Sequence, residues 1–153
     1  MKTSPAGIAF IKKAEDLRLK AYQDSGGVWT IGWGYTGFQV AEGLVIDEST
    51  AKTLLTISLG SAEADVNRLV TVPLAQHEWD SLVSFTFNVG SDIDADDKAE
   101  GLGDSTLLRL LTAGERVAAA AEFARWHHAG GKRSRGLLIR RLREALMFLG
   151  KQP

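Results

Sequence analysis

The feature that most restricts this 153-residue chain is an abrupt change of hydrophobic period between Glu15 and Leu17. Ser4-Pro5 reads as a helix N-cap and first helical position, and Ile8, Ile11, Ala14 and Glu15 follow at helical spacing. The pattern predicts a helix from about Pro5 to Glu15. Leu17-Arg18-Leu19-Lys20-Ala21-Tyr22 then alternates with period two, Asp24-Ser25-Gly26-Gly27 supplies turn residues, and Val28-Trp29-Thr30-Ile31 is rich in strand formers. A helix end, a hairpin turn and a strand are thus confined to one short local unit. A third short strand is expected near Gly37 to Val40.

The rest of the chain reads as helical. Asp47 caps a second helix carrying Leu54, Leu55, Leu59, Ala62, Val66 and Leu69, long enough to connect two lobes and ended by Val72-Pro73. Ala75 to Val89, Ser105 to Thr112, Glu115 to Arg125 and Gly136 to Leu149 read as further helices, separated by Gly90, Gly114 and Gly130-Gly131. This makes an α+β chain of one domain over residues 1–153. A small sheet lobe spans about 16–60, and a helical lobe takes about 1–15 and 61–153.

Composition removes several function classes. Hydrophobic residues at 44%, charged residues at 24% and three prolines describe a folded globular chain, not a disordered or fibrous one. Cysteine is absent, which excludes a disulfide framework, thiolate zinc sites and a cysteine nucleophile. The first residues match neither a signal peptide nor a membrane span, so an extracellular substrate would require another exit route. The net charge of -1 hides an asymmetry: from Glu115 onward nine basic residues oppose three glutamates, a balance of +6 against -7 for the first 114 residues. A basic segment of this kind fits either a solvated helix face or contact with an anionic polymer.

Glu15 lies four residues after Ile11 and seven after Ile8, so helix geometry turns its carboxyl toward the apolar stripe. Burial and the negative end of the helix dipole both favour the acid form there, the state a general acid requires; a nearby arginine would oppose them. Asp24, at the mouth of a glycine-rich turn, is expected to be exposed and ionised. Two acidic groups in different surroundings are a recurring solution for cleaving a glycosidic bond, and the Thr30 hydroxyl beside them is placed to hold a water. The same residues also suit an ordinary hairpin turn and helix end, so spacing alone leaves both readings open.

The stretch Glu15 to Thr36 resembles the active-site region of phage-type lysozymes, glycoside hydrolase family 24, whose pattern places glutamate, aspartate and threonine where Glu15, Asp24 and Thr30 stand. The resemblance continues through Gln76 to Gly90, ending Phe85-Thr86-Phe87-Asn88-Val89-Gly90. It takes in Ser105 to Leu108, Trp126 to Lys132, and Gly136-Leu137 with Arg140, Arg141 and Glu144. It implies a two-lobed lysozyme-like fold whose cleft takes peptidoglycan and cleaves the β-1,4 bond between N-acetylmuramic acid and N-acetylglucosamine, without metal or organic cofactor. Glu15 would be the acid, with Asp24 and Thr30 placing the water. An inverting reaction of this kind leaves a gap of about 6.5–9.5 Å between the carboxyls. Phe87, Asn88 and Tyr35 would contact substrate, and Arg140 or Arg141 would orient Glu15. The implied setting is a phage or prophage endolysin, monomeric, binding neither nucleic acid nor membrane stably, held in the host cytoplasm until a holin releases it. The alternative is a peptidoglycan-binding module of the same fold with lapsed catalysis.

Three departures from the family pattern stand out. Asp16 replaces a usual glycine, Tyr35 replaces a usual histidine, and Ser91 to Asp104 forms an acidic insertion. Asp92, Asp94 and Asp96 have the first spacings of a calcium loop, but Asp97 and Gly103 occupy the positions of its required glycine and glutamate, so a solvated loop is the reading adopted. Gly32-x-Gly34-x-x-Gly37 lacks the βαβ setting of a dinucleotide site. The three histidines lack a metal-ligand pattern, and most of the four tryptophans are expected in packing.

Overall fold

A computed structural model describes every residue except Ser25 and 93–99. Helix α1 runs Pro5–Glu15, with Ser4 Oγ accepting the Gly7 N–H at 3.1 Å, as its Ser-Pro start predicts. Strands β1 (Arg18–Gln23) and β2 (Trp29–Gly32) pair antiparallel, with Tyr22 opposite Thr30 and an irregularity between Arg18 and Tyr22. Then follow α2 (Glu48–Leu69), α3 (Gln76–Val89), α4 (Thr106–Thr112) and α5 (Arg116–Glu122), the last running into a 3-10 turn at Phe123–Arg125. Strands β3 (His128–Ala129) and β4 (Lys132–Arg133) and helix α6 (Arg135–Phe148) complete the described elements.

Helix α3 is the axis of the helical lobe. Every residue from Glu78 to Thr86 is buried, so this helix has no solvent face along its middle and is enclosed by neighbours that include α1, α2 and α6. Ile11, Leu59, Val66, Leu107, Leu111 and Phe148 join its own Leu82 in the core around it. Phe85 meets Phe123 and Trp126 edge-on, with centroids 5.4 and 5.3 Å away. A second, smaller cluster of Ala21, Ile31 and Val40 lies under the hairpin, with Leu54 of α2 packed against it. Because Leu55 and Leu59 of the same helix join the larger core, α2 ties the two clusters together.

The strands differ from expectation in two places. Gly37 to Val40 forms no third strand, because the Gly37 carbonyl accepts the Val40 N–H at 2.9 Å and turns the chain there. Single bridges, Lys20 to Val45 and Ile31 to Tyr35, flank the hairpin instead. The β3–β4 hairpin occupies a stretch read only as a helix break. Gly130 and Gly131, at φ 55° and 74°, make the two-residue turn that joins it.

Candidate active site

Glu15 is the last residue of α1, and β1 begins three residues later, so Glu15 and the hairpin border the same space. One cavity of about 320 Å³ is lined by Glu15, Tyr22, Asp24, Thr30, Gly34, Thr36, Phe87 and Asn88. Five of the residues expected from sequence therefore share one space. Tyr35 does not: it lines a neighbouring cavity of about 410 Å³ that shares Gly34, Thr36 and Phe87 with the first, and its hydroxyl receives the Gln39 amide at 3.3 Å. Asn88 also borders two further cavities, of about 420 and 580 Å³, the latter walled by Trp126 and Arg125. Neighbouring cavities share lining residues, and three of the four meet at Asn88, so together they outline a groove that is bordered by the β1–β2 hairpin at the first cavity.

Each wall holds its polar groups firmly. Asp24 Oδ1 accepts the N–H groups of Gly26 and Val28, both at 2.9 Å, which fixes the carboxylate at the turn and leaves Oδ2 unengaged by these bonds. The buried Thr30 hydroxyl donates to the Val28 carbonyl at 3.0 Å, so toward the cavity it offers only lone pairs. Glu15, 17% exposed, receives Arg140 Nη1 on Oε1, while Oε2 lies toward Gly34. Gly34 has φ +85°, and a Cβ there would stand 3.3 Å from that oxygen.

Of the two candidate arginines Arg140 is the one that meets Glu15, and Arg141 makes different contacts. Its Nη2 donates to Asn88 Oδ1, and its fully buried guanidinium lies over the Phe85 ring, 5.1 Å from the centroid. Between the two arginines sits Glu144, also fully buried. Its Oε1 accepts Arg140 Nε at 3.1 Å and Ser84 Oγ at 2.7 Å. Its Oε2 is 2.9 Å from Arg141 Nη1, a charge contact without hydrogen-bond alignment. Burial pushes the Arg141 guanidinium down to about 10, against the opposing pull of Glu144. Burial likewise raises the Glu144 carboxyl, against Arg141, Arg140 and Ser84.

Sequence reasoning passed over Tyr22, Gly34 and Thr36. The signal for Tyr22 was its place in the alternating strand, which turns it to the same side as Thr30 opposite. Burial first, and the negative charge of Glu15 next, hold its phenol above the ordinary tyrosine value, so it stays a neutral donor. Trp33 and Trp79 are packed inside, as expected of most tryptophans, while Trp126 reaches the groove. His77 and His127 contact the carbonyls of Phe148 and Ala124 through Nδ1. Of the acidic insertion, Asp92 is described, with Oδ2 accepting the N–H groups of Glu100 (2.7 Å) and Gly101 (3.0 Å); Asp94, Asp96 and Asp97 lie outside the described residues.

Residues 12–144 match the family model described as phage lysozyme. The chain belongs to the phage lysozyme family. Among phage lysozyme relatives, it is 40% identical over 151 residues to an endolysin of Bacillus phage B103, covering 97% of this chain and 54% of that one; it thus spans about half the length of that relative. In structure it is similar to an endolysin from Escherichia coli O157:H7 phage FAHEc1, with TM-score 0.86, 35% identity, and coverage of 100% and 97%. It is also similar to the muramidase domain of SpmX from Asticaccaulis excentricus, with TM-score 0.83, 36% identity, and 97% of each chain covered. The phage lysozyme pattern expects glycine after the acid, and here Asp16 adopts φ 53°, ψ 149° at that point. This backbone is one that glycine takes freely and other residues take under strain.

Proposed function

We propose that this phage lysozyme family member is a muramidase that hydrolyses the β-1,4 bond between N-acetylmuramic acid and N-acetylglucosamine in peptidoglycan, with inversion, in the service of host-cell lysis. The observation that carries the reading is the shared cavity: Glu15 on one wall, held by Arg140, and Asp24 with Thr30 on the other. Relatives named endolysin and a neighbour named muramidase domain support it.

In this mechanism Glu15 gives its proton to the leaving glycosidic oxygen as the C1–O bond breaks and positive charge develops on the sugar. A water on the opposite face donates one hydrogen to Asp24 and the other to Thr30, whose own hydrogen is committed to Val28. A water held by both hydrogens aims a lone pair at C1. As the new C1–O bond forms, Asp24 takes the surplus proton; the cycle closes when Asp24 releases it to solvent and Glu15 is reprotonated from solvent. Phe87 and Asn88 contact the bound sugars, with Tyr35 farther along the groove. The same reading has the enzyme acting as a monomer, kept in the host cytoplasm until a holin opens the way to the wall.

Mass spectrometry of digested Gram-negative peptidoglycan tests this. Reducing N-acetylmuramic ends are expected. Anhydro ends would assign a transglycosylase instead, and binding without new ends would assign a module whose catalysis has lapsed.

A further inference from the structure

A guanidinium has no acceptor, so the atom of Asn88 that meets Arg141 Nη2 must be its carbonyl oxygen. The amide nitrogen of Asn88 is therefore turned away from Arg141, and the exposed side chain borders three of the groove's cavities. Asn88 presents hydrogen-bond donors to the groove, not the mixed face of a free amide. The orientation is built at some cost: Arg141 is fully buried, and two of its nitrogens make no hydrogen bond. Its charge is balanced inside the protein by Glu144, which Ser84 Oγ and the neighbouring Arg140 hold in place. One buried carboxylate thus sits behind both Arg140, which grips Glu15, and Arg141, which grips Asn88.

We infer that Arg141 and Glu144 are positioning residues that lock the Asn88 amide as a donor, and that this lock makes the groove selective for sugars carrying an N-acetyl carbonyl over the same sugars with a free amine. The inference rests on the muramidase reading for its substrate. An acetamido oxygen accepts from the locked N–H groups, whereas an ammonium at that carbon sets donor against donor. Glu144 acts at both ends, since through Arg140 it also holds the acid.

The test compares kcat and KM on soluble peptidoglycan fragments with N-acetyl groups intact and enzymatically removed. The native enzyme is expected to prefer the intact fragment by at least about tenfold in kcat/KM, the scale of one such hydrogen bond. Arg141→Met frees the amide to rotate, so the preference falls toward one, mainly through KM on the intact fragment. Glu144→Gln lowers the preference and also kcat. Asn88→Asp, at an exposed position that does not threaten folding, places only acceptors in the groove and lowers the preference below that of Arg141→Met. A folded Arg141→Met that keeps the native preference overturns the inference; if that variant does not fold, an undiminished preference in Asn88→Asp does so. Absence of new reducing ends with the native enzyme would sink the muramidase reading instead. In that event calorimetric affinities for the same two fragments decide the selectivity of Asn88 separately.

Discussion

Arg140 follows Glu15 by 125 positions, yet its Nη1 donates to Glu15 Oε1 while its Nε donates to Glu144 Oε1 at 3.1 Å. The sharing has an energetic consequence. Replacing the Glu15 carboxyl by an amide does not strand the guanidinium, because Glu144 still pairs with it. Glu15→Gln should therefore fold with a stability loss on the order of 1 kcal/mol, while its kcat falls by about 10²–10⁴-fold, the usual worth of a general acid. Arg140→Met deprives two carboxyls at once and should cost about 3–5 kcal/mol. Urea unfolding and reducing-end release measure the two effects; a Glu15→Gln enzyme retaining a tenth of native kcat would remove that residue from the acid's role.

The residue next to the acid carries strain that a single change should relieve. Asp16 is exposed and sits at φ 53°, ψ 149°. Backbone in such regions costs a non-glycine residue about 1–3 kcal/mol, and the greater freedom of glycine in the unfolded chain returns about 0.5–1 kcal/mol of that. Asp16→Gly should raise stability by about 1 kcal/mol, or about 2–4 °C in Tm for a chain of this size. Asp16→Ala, which keeps the Cβ, should not. A calorimetric scan of the pair that shows equal Tm values would mean that the strain is absent.

These two neighbours show where sequence is legible. The α1 boundaries at Pro5 and Glu15 follow from local signals, a cap and a stripe of period 3.6, and the hairpin follows from the alternation that begins at Leu17. Glu15, Asp24 and Thr30 share a cavity because short connections leave them little choice. The pairing of Arg140, not Arg141, with Glu15 was not legible. Consecutive helix residues point about 100° apart, and which one meets α1 depends on how α6 docks on α3. The link from Arg141 to Asn88, across 53 positions, depends on the same docking. The β3–β4 hairpin was legible in principle, since paired glycines are a two-residue turn signal, but its strands are too short to alternate.

Gly34 separates backbone strain from crowding of the acid. At φ +85° any side chain is strained, and its Cβ would also stand 3.3 Å from Glu15 Oε2. Gly43, at φ +81°, has nothing within 4 Å of a Cβ and serves as the control. Both alanine variants should lose about 1–2 kcal/mol of stability. Only Gly34→Ala should lose kcat as well, by on the order of tenfold or more, because it displaces the carboxyl from its productive position. Equal kcat in the two variants, measured at a temperature where both are folded, would show that the acid tolerates the contact.

The start of α1 is fastened by a carboxylate whose protonation should loosen it. Glu63 of α2 accepts the Thr3 N–H and hydroxyl, each at 2.8 Å, and Lys2 Nζ at 2.7 Å. Burial pushes this carboxyl up, but the bonds from Lys2 and Thr3 together outweigh it and hold the group below the ordinary glutamate value. A group that binds its proton more weakly when folded stabilises the fold at pH above its unfolded value of about 4.3, and that contribution disappears as pH falls through the depressed folded value. Glu63→Gln keeps the shape, loses the charge, and should cost on the order of 1 kcal/mol near neutral pH. Its deficit in Tm relative to the native chain should begin to shrink as pH falls below about 4.3, where the unfolded carboxyl takes up protons, and should close as pH passes through the lower folded value. A calorimetric series from about pH 7 to about pH 3 reads the convergence. A deficit that stays constant over that range would mean that the charge of Glu63 does not hold Thr3, and with it the first turn of the helix that ends in Glu15.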